Sequence, residues 1–386
     1  MSTQVEVQGA QEILREAESF VDREIRPFLH DFKQRESIPR ETIRAMAERG
    51  YLAASWPSEY GGLELNPVDY GRFTELFGKA SPAVRSLITV HTSLVGETLL
   101  RFGTDKQKAD WLPKLSSGEW LSAFGLSEPE IGSDAKNIRT NWREEADAYV
   151  LNGSKKWITF GAIADVFVIV AENNGRSTAF WVERDFGGVE TRRIEGLMAA
   201  RETELAEIEL TEVRVPKDHV IGRLNDGFEY VVTSALDHGR YSIAWAGLAI
   251  AQEALEAMVA YSRKRVQFGQ RLNQFQLIRG MIGDATTKIH AARALCLRAG
   301  ELRANRSPEA VIETTIAKYF ASKVAVEVAN DALQVHGANG FTDRYPVERL
   351  YREAKVLEII EGSSQMQQEM IAHYGLKKYH KRGGKA

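Results

Sequence analysis

Near the end of the 386-residue chain, the run Leu357-Glu358-Ile359-Ile360-Glu361-Gly362-Ser363-Ser364-Gln365-Met366-Gln367-Gln368 carries a carboxylate up to a glycine and then two serines. Ser364 and Gln367 fit the Ser-x-x-Gln capping box, so the spacing predicts a helix opening there. Glu361 then falls on a short irregular turn, where packed neighbours hold a side chain still while it faces a pocket. The first amides of the following helix add a positive end that suits an anion. A carboxylate so placed reads as a positioned general base. Most of the chain's 53 acidic residues simply face water, so this reading needs support from other stretches.

Three other stretches have suitable chemistry. Phe124-Gly125-Leu126-Ser127-Glu128-Pro129-Glu130-Ile131-Gly132-Ser133-Asp134 offers a hydroxyl, a proline and a small Gly-Ser pair at a strand end. Such a run supplies polar atoms and a backbone that a planar ring can approach closely. In Lys156-Trp157-Ile158-Thr159 an indole provides a stacking face with a hydroxyl beside it. In Arg263-Lys264-Arg265-Val266-Gln267-Phe268-Gly269 a guanidinium suits bidentate phosphate binding, although Arg265 also reads plainly as a helix cap. His336, within Gln334-Val335-His336-Gly337-Ala338-Asn339-Gly340, reads as a core histidine.

The elements that must position these residues follow from period and punctuation. At 44% hydrophobic and 27% charged residues, the chain is long enough for two or three domains sharing a large interior. Helical spacing over 9–30 places Ile13, Leu14, Ala17, Phe20, Val21, Ile25 and Phe28 on one buried face, with Pro27 helping to end the helix. Further helices are expected over 39–49, closed by Gly50, and over 68–79, 84–101 and 106–115, with a loop over 56–62. The period then shortens, giving strands over 120–125, 148–151, 157–160, 166–171, 178–182 and 205–213. Asn152-Gly153 signals a hairpin, because both residues tolerate positive φ. Long helices return over 228–263, 272–303 and 308–336, with one or two more after Pro346. Small Ala244, Ala246 and Ala249 permit close packing. The expected fold is α+β and mainly α: an N-terminal helical domain (1–119), a central β-barrel-like domain (120–226) and a C-terminal four-helix bundle (227–386).

Composition narrows the function. A net charge of -3 argues against a general nucleic-acid binder. Only the tail Lys377-Lys378-Tyr379-His380-Lys381-Arg382 is markedly basic, and it reads as a solvated end. Cys296 is the only cysteine, which rules out an intrachain disulfide or a multi-cysteine metal site, and no metal is expected. The polar, acidic first ten residues do not resemble a secretory signal, and no apolar run approaches the roughly 20 residues that span a bilayer. A cytoplasmic protein with no membrane partner is expected. There is no Gly-x-Gly-x-x-Gly after a strand, Walker loop, His-Glu-x-x-His or Gly-x-Ser-x-Gly.

Taken together and in order, these motifs resemble the acyl-CoA dehydrogenase superfamily along roughly 9–376. The resemblance covers residues 345–367, where the family's glutamate before Gly-Thr/Ser-Ser is the catalytic base, and so implies that role for Glu361. It implies FAD as cofactor, with contacts from Phe124, Leu126, Ser127, Gly132, Ser133, Trp157, Thr159, Arg265, Gln267, Phe268, Gln334, Gly337, Ser363 and Gln365. Ser127 would bond the flavin, Ser133 would lie near the pyrophosphate or thioester arm, and Thr159 would sit beside flavin N5. Arg265 would hold the pyrophosphate of a neighbouring subunit's FAD, implying a dimer or tetramer. Two positions depart from the pattern: Phe160 stands where asparagine is usual, and Ala338 replaces a glycine. Relatives that carry the base on the first bundle helix place it where this chain has Gly239. The implied chemistry is α-proton removal from an acyl thioester by Glu361, with hydride transfer to flavin N5. A desolvated Glu361 would be a stronger base than a solvated carboxylate. An electron-transfer flavoprotein or oxygen would then take the electrons.

Two local resemblances bear on the acyl group. Ser81-Pro82-Ala83-Val84-Arg85-Ser86 and Gly239-Arg240-Tyr241-Ser242-Ile243-Ala244-Trp245 are similar to glutaryl-CoA dehydrogenase forms, in which the first arginine pairs with a distal carboxylate. Arg85, Ser133, Arg240 and Gly362 are therefore candidate substrate contacts, with Arg85 reading otherwise as a surface arginine on a helix. Asp237-His238-Gly239-Arg240-Tyr241-Ser242, Trp157-Ile158-Thr159-Phe160-Gly161 and Glu313-Thr314-Thr315-Ile316-Ala317-Lys318-Tyr319-Phe320-Ala321-Ser322 are similar to a subgroup of polyketide and peptide antibiotic pathways. Those enzymes oxidise short, polar acyl groups on an acyl carrier protein, including steps toward hydroxymalonyl or methoxymalonyl extender units. The alternatives are an enzyme of primary metabolism acting on a short or dicarboxylic acyl-CoA, and a flavin-binding scaffold without turnover.

Overall fold

The computed structural model describes residues 2–380, and the chain divides into two compact units, Met1–Gly239 and Arg240–Ala386. Lys381 and Arg382 of the basic tail lie outside the described residues, while Lys377 and Lys378 close the last helix, exposed to solvent.

The first unit opens with helix Ser2–Phe20. Pro27 does not end the helical path as expected. A wider π turn, Val21–Ile25, and a tight 3-10 turn, Arg26–Phe28, carry the chain on into helix Leu29–Arg35. Proline fits because it stands at the start of the new turn, where its missing N–H costs nothing. The π turn also rotates the apolar face, so Ile25 stays buried while Phe28 is 48% exposed rather than inward as expected. Helix Arg40–Ala47 is followed by Gly50 at φ +73°. Helix Pro67–Ala80 is capped by Asn66 and helix Pro82–Ile88 by Ser81. The latter runs through a π segment, Thr89–Gly96, into helix Glu97–Phe102. Helix Asp105–Ser116 carries a reciprocal Thr104/Gln107 capping box.

Eight strands follow: β1 (Ser122–Gly125), β2 (Asn141–Glu144), β3 (Ala148–Ile158), β4 (Val166–Asn173), β5 (Arg176–Glu183), β6 (Val189–Arg193), β7 (Ala206–Pro216) and β8 (Val220–Ile221). They form one sheet in the order β6-β7-β3-β2-β4-β5-β8, with β1 added parallel to β4. Alternation along β4 divides the core. Phe167, Ile169 and Ala171 enter one cluster with Trp142, Tyr149, Phe180 and Leu210, while Val166 and Val168 face Trp56, Leu99, Trp111 and Leu115 of the helical layer. Trp111 stacks on Trp181 at 4.5 Å. The rings of Tyr149 on β3 and Phe180 on β5 lie 5.5 Å apart although β2 and β4 run between their strands, so the sheet curls strongly on itself.

The hairpin expected at Asn152-Gly153 is absent. Both residues lie inside β3, where the register against β7 shifts as at a β-bulge. Gly153, at φ +139°, lets the chain pass so close to Thr140 that an added Cβ would lie 2.6 Å from its Cα. Close approach, and not reversal, explains the glycine. The strand expected over 157–160 stops at Ile158, because Trp157 and Phe160 adopt positive φ. Strands β2, β6 and β8 escape sequence reading because they are short and β2 and β6 are mostly polar or exposed.

The second unit contains the rest of helix Thr233–Lys264, the exposed ribbon Val266–Gln267/Gln270–Arg271, and helices Gln276–Ala304, Ala310–His336, Val347–Leu357 and Ser364–Lys378. Helix Ala310–His336 packs against helices Gln276–Ala304, Val347–Leu357 and Ser364–Lys378. Gly247 meets the backbone of Ala321, where a Cβ would come within 2.6 Å of its carbonyl. One helix among the described residues, Gly227–Lys264, is long and apolar enough to cross a membrane, contrary to the expectation that none would be. Of its most apolar window, 61% is buried inside the protein, as suits a core helix.

Candidate active site

In the first unit, the predicted residues gather at the ends of β1 and β3. Phe124 packs against Leu126, Ile131 and Ile138 on one side and Val90 and Leu94 on the other. The Lys156 N–H donates to the Ser127 carbonyl at 2.9 Å, tying the serine to the segment that bears Trp157 and Thr159. Trp157 is held at φ +65° with 51% of its surface exposed, and Lys156 Nζ lies over its ring, 5.2 Å from the centroid. Thr159 is half-buried, whereas Gly132 and Ser133 are exposed and the space above the Gly132 backbone is open. Phe160 is fully buried, and its N–H donates to the Thr203 carbonyl at 2.7 Å.

Beneath this surface is a network that the sequence reading missed. Glu128 accepts from the backbone N–H of Arg139 at 2.7 Å and of Thr140 at 2.9 Å, and from Lys155 Nζ at 2.7 Å. Lys155 also donates to the Leu126 carbonyl at 3.2 Å. Burial pushes the Lys155 amine down to about 8 against the pull of Glu128. Burial also works against the Glu128 carboxylate, but Lys155 and the other donors bring it net below its usual range. Strict alternation would put Lys155 and Trp157 on one face, but the positive φ of Trp157 breaks that pattern, so no local signal marks Lys155 as buried.

Arg85 is not a surface arginine: it is 2% exposed. Its Nη1 donates to Thr89 Oγ1 at 2.9 Å and its Nη2 to Ser86 Oγ at 2.8 Å. The same buried region holds the Tyr70 hydroxyl, 2.6 Å from Ser93 Oγ, and burial raises the Tyr70 phenol.

The second unit brings Glu361, Gly362, Ser363 and Arg240 together. Glu361 stands on the expected turn between two helices, at φ +55° and followed by Gly362 at φ +86°; its Oε2 is buried. Arg240 Nε donates to the Glu361 carbonyl at 3.1 Å. Gln367 Nε2 donates to the carbonyls of Glu361 and Gly362 at 3.1 and 3.0 Å, and Lys318 Nζ to that of Gly362 at 2.7 Å. Two consecutive carbonyls in left-handed backbone are thus held by three side chains. The expected cap is corrected: Ser363, not Ser364, accepts from the Met366 N–H, and Gln367 turns away to the carbonyls instead of completing a box. Gln365 is exposed.

Arg265, Gln267 and Phe268 lie on the exposed ribbon, with Phe268 96% exposed at φ +50°. The Arg265 N–H donates to the Tyr261 carbonyl at 2.9 Å, and Tyr261 stacks on His336 at 4.1 Å and accepts from Asn339 Nδ2 at 2.7 Å. These contacts bring Gln334 and Gly337 to the same end of the unit as Arg265. His336 is a core histidine as expected: burial lowers its imidazole and Nδ1 faces the Ala332 carbonyl at 2.7 Å.

Family models for the N-terminal, middle and C-terminal domains of acyl-CoA dehydrogenase match residues 8–119, 123–213 and 225–376. The chain belongs to the acyl-CoA dehydrogenase family. An acyl-CoA dehydrogenase of Bacillus subtilis (strain 168) is 36% identical over 360 residues, 92% of this chain and 94% of that protein. The solved structure of FkbI, described as serving biosynthesis of the methoxymalonyl extender unit of a polyketide immunosuppressant, matches with TM-score 0.85 and 32% identity, covering 94% of this chain and 99% of FkbI. A glutaryl-CoA dehydrogenase of Mycobacterium smegmatis solved with FADH2 matches with TM-score 0.91 and 26% identity, over 98% of this chain and 96% of that one. Membership makes this chain an FAD-dependent oxidoreductase of acyl thioesters.

Proposed function

We propose that the protein dehydrogenates a short, polar acyl thioester with Glu361 as the base. The observation that carries this reading is the left-handed Glu361-Gly362 turn held through its carbonyls by Arg240, Gln367 and Lys318. Such a turn fixes the direction in which the carboxylate leaves the backbone, as proton abstraction requires. A scaffold without turnover would have no need of it.

The residues present suit FAD. Trp157 offers a half-exposed indole ring, Gly132 open space over the backbone, and Arg265 an exposed cationic side chain. By the family resemblance, Phe124, Leu126, Ser127, Ser133 and Thr159 are further candidate FAD contacts in the first unit, and Gln267, Phe268, Gln334, Gly337, Ser363 and Gln365 are candidates in the second. FAD, when bound, would supply the acceptor for the β-hydride. Glu361 takes the α-proton onto its carboxylate. A second copy of the chain is the fitting occupant for the ribbon bearing Phe268, since an apolar side chain so exposed gains by being covered. An electron-transfer flavoprotein or oxygen would serve as the final acceptor.

Arg85 supports a polar acyl group, because a buried cation favours an oxygenated or carboxylated chain over a fatty one. Together with the similarity to FkbI, it supports a substrate tethered to an acyl carrier protein in hydroxymalonyl- or methoxymalonyl-type extender-unit synthesis. The likeness to glutaryl-CoA dehydrogenase keeps a short or dicarboxylic acyl-CoA as the second reading.

The test is anaerobic mixing of the yellow holoenzyme with matched acyl-CoA and acyl-carrier-protein substrates. Flavin bleaching should be faster with the carrier-bound acyl group, and equal rates would reject that preference. Glu361→Gln should keep the colour and lose bleaching; bleaching that persists would reject Glu361 as the base.

A further inference from the structure

We propose that Lys318 is a positioning residue for Glu361: its buried ammonium holds the turn that carries the base and favours the ionised form of the carboxylate. The inference rests on the function proposed above and gives Lys318 a role that the resemblance did not assign to it.

Lys318 lies mid-way along helix Ala310–His336 on its inward face, among buried Ala317, Ala321 and Ser322, and is itself 0% exposed. Lysine is almost never fully buried unless paired, because desolvating an ammonium is costly. Its Nζ is committed to the Gly362 carbonyl at 2.7 Å, one residue beyond Glu361. A neutral amide suffices for a carbonyl, as Gln367 demonstrates on the same oxygen at 3.0 Å. The chain nevertheless places a cation there. Its useful difference from an amide is charge.

The charged groups around Lys318 come from two other elements. Arg240 stands on helix Thr233–Lys264, and Glu361 and Glu358 on the turn before helix Ser364–Lys378. Of the two carboxylates, Glu361 acts more strongly on the Lys318 amine than Glu358, which pairs with Lys355 at 2.7 Å. Burial lowers the Lys318 amine to about 8, with Arg240 adding to the fall and Glu361 and Glu358 opposing it. Below that value the ammonium stabilises the carboxylate and so lowers its affinity for a proton. Removing the charge must shift the carboxyl titration upward.

The experiment compares wild-type holoenzyme, Lys318→Met and Lys318→Gln by infrared difference titration. The Glu361 carboxyl band is assigned by its loss in Glu361→Gln, and no substrate is needed. The Glu361 midpoint should move upward in both variants at unchanged FAD content, and the acid limb of the flavin-reduction rate should move with it, leaving the rate at pH 6 about tenfold lower. Lys318→Gln keeps a hydrogen-bond donor and serves if the methionine variant fails to fold. A midpoint that stays at the wild-type value in a folded variant would overturn the proposal, whether or not any acyl thioester bleaches the flavin. Failure of the wild-type enzyme to bleach with every thioester would instead strike the proposed function and leave the titration result standing.

Discussion

Replacing Gly362 with alanine should cripple proton abstraction while leaving the fold intact. Gly362 sits at φ +86°, and a Cβ added there would lie 2.8 Å from Gln367 Nε2. Left-handed backbone costs a residue with a side chain about 1 kcal/mol relative to glycine. Gln367 is fully buried, so its amide has little room to yield, and moving it endangers its bonds to the Glu361 and Gly362 carbonyls, each worth about 1 kcal/mol. The sum is about 2 to 3 kcal/mol, concentrated on the turn that aims Glu361. If the turn relieves this strain by shifting the carboxylate, the loss in rate is roughly 30- to 150-fold at about 1.4 kcal/mol per tenfold. Anaerobic stopped-flow flavin reduction at saturating substrate reads the chemical step directly, and thermal melting reads the fold. A Gly362→Ala enzyme that reduces its flavin at the wild-type rate would show that the held turn does not aim the base.

Two further outcomes test the rest of the site. Arg85→Met should lower kcat/KM for a carboxylated or oxygenated acyl thioester about a hundredfold, with much less effect on an apolar chain of equal length, because it removes a buried cation held by Ser86 and Thr89; equal losses on both substrates would argue that Arg85 only supports the fold. Lys155→Met strands the Glu128 carboxylate on the N–H groups of Arg139 and Thr140 and should destabilise the protein by about 3–5 kcal/mol in denaturant unfolding, with partial recovery in the double variant Lys155→Met/Glu128→Gln. A single variant as stable as wild type would show that the pair contributes little.

The placement of Glu361 was legible because it depends on local rules: an apolar run, a glycine and two serines in succession force a break between helices. The helical, β and helical order was legible for the same reason, since period 3.6 and period 2 are written into neighbouring residues. Local rules failed where a partner distant in sequence decided the outcome. Asn152-Gly153 carries a turn signal, but β2 and β7 flank it and the close approach of Thr140 converts the glycine into a bulge. Ser364 and Gln367 fit a cap by spacing, yet the carbonyls of Glu361 and Gly362 compete for the same amide and win it. Arg85 reads equally as a surface or a buried cation until the packing around its helix takes it out of water. Lys318 lies 43 residues before Glu361 in the chain, and only the folding of one helix against the turn of another converts that separation into a hydrogen bond one residue from the base. The sequence determined which groups could do the chemistry. The tertiary structure decided which cations and amides stand beside them, because desolvation and charge act through space and not along the chain.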